Sequence, residues 1–145
     1  MDFFDAIQAS SSGLSAQRLR MNLISGNLAN INTTRTREGG PYRRKEAIFA
    51  ARSGVESFKK IMADRQRKQL SMVAVDRITE DPNPPVMKYD PQHPDADEKG
   101  YVAMPNINVM EEMVNMISAT RSYEANVSAL KAAKEMISRA LEIGK

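Results

Sequence analysis

Cysteine and tryptophan are absent from the 145-residue chain, histidine occurs once, and aromatic residues make up only 6% of it. Without cysteine there is no disulfide framework, thiolate metal site or cysteine nucleophile. The scarcity of aromatics, set against ten methionines, favours adaptable packing surfaces over a rigid aromatic pocket, because the flexible thioether fills irregular gaps. No stretch approaches the roughly 18 apolar residues of a membrane-spanning helix. The start, MDFFDAIQASSSG, has neither the basic opening nor the continuous apolar run of a secretory signal. On these grounds alone the expectation is a cytoplasmic chain. A hydrophobic fraction of 41% over 145 residues allows one domain with a core, or one unit carrying an insertion.

The net charge of +3 conceals an asymmetry: residues 1–77 carry 14 Lys/Arg against 7 Asp/Glu, and residues 78–145 carry 7 against 11. Halves of opposite sign attract, within a subunit or head to tail between subunits. A basic half also admits nucleic acid as a partner.

From Phe3 the apolar residues follow a helical stripe of Phe3, Ile7, Leu14, Met21, Ile24 and Leu28, in which Ile7, Leu14, Met21 and Leu28 are seven apart. The spacing predicts a helix from about Phe3 to Ala29. Ser10 and Gln17 fall at intervening inward places, which permits close helix approach but weakens the helix on its own, so it needs a partner. Gly26, Asn27, Asn30 and Asn32 suit a C-terminal cap and turn. Thr33 to Tyr42 is a loop, broken most clearly at Gly39-Gly40-Pro41.

In the middle, Ala47–Ala51 reads as a short strand, Met72–Ile78 as a Val-rich one and Val86–Tyr89 as a third. Val55, Phe58, Ile61 and Met62 sit at helical spacing, consistent with a short amphipathic helix over Gly54–Leu70. Asp90–Gly100 is a loop by composition. After Pro105 the positions Val109, Met113, Met116, Thr120, Tyr123, Val127, Leu130, Lys134, Ile137 and Leu141 step alternately by four and three. All but Lys134 can be buried, so this is a heptad seam, and a helix of about 38 residues, roughly 57 Å long, follows. Met110, Val114 and Ile117 widen its apolar face, implying more than one neighbour. The predicted fold is mainly α: residues 1–34 and 105–145 form two long helices packed as a coiled-coil-like pair, and residues 35–104 a small β and irregular middle segment. Ile7, Leu14, Met21 and Leu28 are expected to pack against Met116, Tyr123, Val127 and Leu130. The nearly complete C-terminal seam is expected to organise the N-terminal helix. Each helix is marginal without burial, so both ends should be largely disordered in a free monomer.

Candidate chemistry is sparse. His93 sits among Asp90, Asp95 and Asp97, but Pro91 and Pro94 brace that stretch, and aspartates there read as turn and helix caps rather than metal ligands. Asp95–Gly100 fails as a calcium loop, with Lys99 at the fifth place and Asn106 at the twelfth. Ser10–Ser12 have no partner base beyond His93, and no glycine-rich phosphate loop or nucleophile elbow is present. No enzyme activity, cofactor, metal or small-molecule substrate is expected. Arg43-Arg44-Lys45 and Arg65–Lys68 support an alternative, a small basic coiled-coil nucleic-acid binder with salt-sensitive affinity. A solvated face or ion pairing with a neighbour's acidic half explains them with fewer assumptions, since only Tyr42 and Phe49 lie near for stacking.

Leu23-Ile24-Ser25-Gly26-Asn27-Leu28-Ala29-Asn30-Ile31-Asn32-Thr33 resembles the N-terminal signature of the flagellar rod, hook and hook-associated axial proteins. A narrower, proximal-rod group within that family is resembled by Tyr89-Asp90-Pro91-Gln92-His93-Pro94-Asp95-Ala96-Asp97, Gly100-Tyr101-Val102 and Met104-Pro105-Asn106-Ile107-Asn108, with Glu112-Met113-Val114 and Arg121-Ser122-Tyr123-Glu124-Ala125-Asn126. Gly39-Gly40-Pro41-Tyr42-Arg43-Arg44-Lys45 fits the same group, whereas the charged stretch Lys59 to Lys68 departs from it. The resemblance implies a non-enzymatic rod subunit of the bacterial flagellar basal body that assembles helically and transmits motor torque. It implies export through the flagellar type III apparatus without signal cleavage and residence in the periplasm, overriding the cytoplasmic expectation. The partners implied are copies of itself, other proximal and distal rod proteins, the membrane-ring/rod adaptor and the export apparatus, with no nucleic acid.

Overall fold

The computed structural model describes residues 3–52 and 72–143. The helix expected over Gly54–Leu70 lies outside the described residues. Helix α1 spans Phe3–Ala29, strands β1 (Lys45–Arg52), β2 (Met72–Glu80), β3 (Val86–Tyr89) and β4 (Tyr101–Met104) follow, and helix α2 spans Val109–Ile143. The fold is therefore two terminal helices with a small β region of two antiparallel ribbons, β1–β2 and β3–β4. The first three strands stand where the sequence places them, each within a few residues. Strand β4 is additional: Tyr101-Val102-Ala103-Met104 is too short to show a period, and pairing with β3 makes it a strand.

Local chemistry sets the helix ends. Asn30 closes α1, its Nδ2 donating to Gly26 O at 2.9 Å while its own Oδ1 accepts from Thr33 Oγ1 at 3.1 Å. Asn108 opens α2, its Oδ1 accepting from Met110 N at 3.0 Å, and Glu111 and Glu112 in the first turn suit the positive end of the helix dipole. At 27 and 35 residues the helices are about 40 and 52 Å long.

The helices run antiparallel. Gly13 meets Asn126, Met21 meets Thr120, and Asn27 meets Glu112. The inward lines differ by one residue from the large apolar seams. On α2 the buried residues are Glu112, Ala119 and Ala133, with Asn126 half-buried on the same seven-residue line and Met116, Tyr123, Leu130 and Ile137 half-buried beside it. Val109, Met113 and Leu141 are instead exposed, Leu141 by 68%, so they do not serve the pairing within this chain. Val127 is half-buried. On α1, Ala16, Ile24 and Asn27 are buried, while Ile7, Leu14, Met21 and Leu28 are half-buried. Steric reach is the reason: the small residues Gly13 and Ala16 on α1 and Ala119 and Ala133 on α2 let the helices approach closely, whereas an inward line centred on Met113 and Val127 would hold them apart.

The β1–β2 ribbon lies along α1, anchored near Asn27 by Lys45 and near Ser12, whose Oγ accepts from Val73 N at 3.2 Å. A bulge shifts the register, so that Ile48 pairs with Arg77 but Phe49 with Val75. Helix α1 thus carries both α2 and the ribbon, and it, not the seam-bearing α2, is the element common to both packings. The apolar core is thin. Among the described residues the buried apolar side chains are Ala16, Ile24, Val102, Ala119 and Ala133, with Pro105 beside them, and Gln17 Oε1 is buried without a hydrogen-bond partner.

Candidate functional site at the junction of helices and ribbon

The Asn27 carboxamide is, with the Glu112 carboxylate, one of the two buried polar side chains among the described residues. Its Nδ2 donates to Lys45 O at 3.0 Å and to Glu112 Oε2 at 2.9 Å. Its Oδ1 accepts from Lys45 N at 2.9 Å and from Tyr42 Oη at 3.1 Å. Two donors and two acceptors are therefore all engaged, which is the full capacity of the amide. Toward Lys45 the side chain behaves as a neighbouring strand, holding both the N–H and the C=O of the first residue of β1.

Asn27 and Glu112 are each 1% exposed, and a carboxylate so buried needs a cation. Arg44 supplies it, Nε donating to Glu112 Oε1 at 2.8 Å. The same guanidinium reaches Glu46 at 3.3 Å and Glu111 at 4.0 Å. Burial works against the charged guanidinium, but the hydrogen bond and charge of Glu112, then Glu46 and Glu111, outweigh it and hold the Arg44 pKa above its ordinary value. The Tyr42 hydroxyl is also pushed up, first by burial and then by Glu80 and Glu112, against the opposing effect of Lys45. Arg44 O accepts from Asp81 N at 2.8 Å, extending the network to the end of β2.

The structure thus brings together Asn27, Tyr42, Arg44, Lys45 and Glu112, which are up to 85 positions apart. Arg44 is not part of a solvated run, since it pairs with Glu112 of its own chain, while the half-exposed Lys45 ammonium lies 3.5 Å from Glu80. Of the three motif asparagines, Asn30 is a cap, Asn32 is exposed, and Asn27 is the hub of the junction rather than a cap. The only sequence signal for the buried pair was the presence of Arg44 and Glu112 within the motifs quoted above.

The His93 loop is a turn closing the β3–β4 ribbon. Asp90 N donates to Gly100 O at 2.9 Å, Asp97 Oδ1 accepts from Lys99 N and Tyr101 N, and Asp95 N donates to His93 Nδ1 at 3.1 Å. Thr34 Oγ1 donates to Asp95 Oδ2 at 2.7 Å, tying this loop to the end of α1. Of the three aspartates, Asp97 caps the turn with its side chain, Asp95 bonds Thr34, and Asp90 enters through its backbone. Pro105 is buried and Asn106 exposed where the chain enters α2, and Tyr89 and Tyr101 meet edge to face at 5.3 Å. On α2, Tyr123 and Asn126 face α1 at half burial, while Glu124 is exposed.

Two long helices are clamped at one end by a saturated polar junction, and comparison with known proteins gives that scaffold its class. The family model described as "Flagella basal body rod protein" matches residues 7–35, and the one described as "Flagellar basal body rod FlgEFG protein C-terminal" matches residues 98–143. Relatives named flagellar basal-body rod protein FlgC match end to end. The protein of Borreliella burgdorferi is 46% identical over 99% of this chain and 98% of its own, that of Bacillus subtilis 45% over 100% of both, and that of Aquifex aeolicus 41% over 100% and 99%. The chain is thus of the flagellar basal-body rod class. Within that class, it belongs to the FlgC family.

Proposed function

We propose that this structural rod subunit is non-enzymatic and stands in the proximal part of the rod, in the periplasm. It reaches that place through the flagellar type III apparatus without signal cleavage. There it assembles helically with copies of itself and with other proximal and distal rod proteins, next to the membrane-ring/rod adaptor. Its helices form a coiled-coil-like pair whose outward faces continue into neighbours, so that torque is carried by many parallel contacts. A contact between unlike faces that does not close on itself propagates as a helix of subunits.

The observation that carries this reading is on α2. Its inner face is occupied by α1, yet Met110, Val114 and Ile117 remain 70%, 64% and 55% exposed on the opposite face. They lie at positions i, i+4 and i+7 of one stripe, the spacing by which a helix seats in a partner's groove. The thin core of the single chain supports a second part of the proposal, that the terminal helices pair only marginally in the free chain and complete their ordering on assembly. A Val114→Glu, Ile117→Glu variant tests the reading. The expected result is a chain with wild-type circular dichroism that fails to enter isolated basal bodies and leaves cells non-motile. Normal incorporation and motility would overturn it.

A further inference from the structure

The thorough use of Asn27 has a consequence for how the β1–β2 ribbon is held. Lys45, the first residue of β1, is fixed to α1 by one amide, through both its N–H (2.9 Å) and its C=O (3.0 Å). That amide is oriented in turn by Glu112, which belongs to α2 and is itself held by Arg44, the residue before Lys45. Arg44 also accepts the Asp81 amide at the end of β2. The bonds that hold the base of the ribbon come from α1, and one contact that orients them, Asn27 to Glu112, exists only while α1 and α2 are paired.

We infer that Asn27 and Glu112 are positioning residues that couple helix pairing to the placement of the β1–β2 ribbon, so that docking of α2 tightens the hold of α1 on the ribbon's base. A carboxamide can turn over, and only one orientation serves Lys45 with donor and acceptor together. The Glu112 carboxylate selects it, because it accepts from Nδ2 and would repel Oδ1. Tyr42 Oη reinforces the choice from the other side by donating to Oδ1. The coupling is a property of the single chain. Its use, presenting a more firmly placed ribbon on subunits whose terminal helices have paired, rests on the rod-subunit reading.

The test is amide hydrogen exchange on the full-length chain, read at Lys45 N–H and Asp81 N–H, in Asn27→Asp, Glu112→Gln and the double variant. Asn27→Asp sets two carboxylates against each other, and Glu112→Gln, keeping its bond to Arg44, sets two amide donors against each other. The double variant restores a donor–acceptor pair with the roles exchanged, although the carboxylate introduced at position 27 then faces the Lys45 carbonyl that Asn27 Nδ2 had bonded. Each single change is expected to speed exchange at Lys45 and Asp81 by ten-fold or more, and the double variant to regain part of the protection. A second perturbation acts at a distance. Gly13→Val wedges the helices apart at Asn126, about 21 Å along α1 from Asn27, and is expected to speed the same two amides. Unchanged exchange at Lys45 and Asp81 in the single variants would overturn the inference, as would a double variant no better protected than the worse single. If a single variant does not fold, the comparison with the double remains decisive. Motility of the Val114→Glu, Ile117→Glu variant reports on the rod reading independently.

Discussion

Gly13 on α1 and Asn126 on α2 are so close that a Cβ built on Gly13 would lie 2.9 Å from Asn126 Nδ2 and 3.3 Å from its Cγ. The obstacle is a short polar side chain, so two effects of a methyl group oppose each other: crowding against Asn126, and the gain of about 1 kcal/mol when alanine replaces glycine in a helix. Gly13→Ala is therefore expected to leave stability nearly unchanged in the native background and to raise it by about 1 kcal/mol in an Asn126→Ala background. Urea denaturation of the four chains checks this. Equal effects in both backgrounds would show that the two residues do not touch.

Faces of α2 should respond in opposite ways. Ala119 is fully buried against α1, whereas Val114, five residues earlier, is 64% exposed. Ala119→Leu overfills the pair and is expected to cost about 1–3 kcal/mol. Val114→Ser should change the stability of the single chain by no more than about 0.5 kcal/mol, although it touches the proposed assembly face. Thermal melts of the two variants separate the faces.

Gly100 closes the β3–β4 loop with φ at +80°, where a Cβ would stand 3.0 Å from Tyr89 Cε2 and 3.2 Å from Pro91 Cβ. Gly100→Ala combines left-handed strain of about 1–2 kcal/mol with a steric clash. The expected result is loss of the tyrosine signal in near-ultraviolet circular dichroism, as the edge-to-face contact of Tyr89 and Tyr101 is disturbed. The far-ultraviolet helical signal should persist.

Alkaline titration should expose the junction. The Tyr42 pKa is raised above its ordinary 10.0, so the folded state holds this proton more tightly than the unfolded state does. The stability it contributes is fully present below about pH 10 and is lost as pH rises through the folded value. The Tyr42 hydroxyl then ceases to donate to Asn27 Oδ1. Tyr42→Phe is expected to flatten this alkaline decline and to remove one step from the tyrosinate absorbance titration. An identical alkaline decline in the variant would show that Tyr42 is not its source.

By itself the sequence determined where the chain is helical and which segments form the two families of motif. Periodicity and caps are local properties, so α1 was legible from Phe3 to Ala29, and α2 could be placed after Pro105 with Asn108 close to its start. The expected strands were legible for the same reason, and β4 was not, because its four residues become a strand only through β3. What the sequence left open was which side of each helix its own chain would cover. A stripe of Met113, Val127 and Leu141 is apolar whichever partner it meets, and a heptad does not record whether that partner is internal. Tertiary structure decided it: close approach at Gly13 and Ala16 selects the line of Glu112, Ala119, Asn126 and Ala133, and leaves Met110, Val114, Ile117 and Leu141 outside. The same packing turned Asn27 from an expected cap into a hub. Its partner Glu112 lies 85 positions away, and no local signal spans that distance.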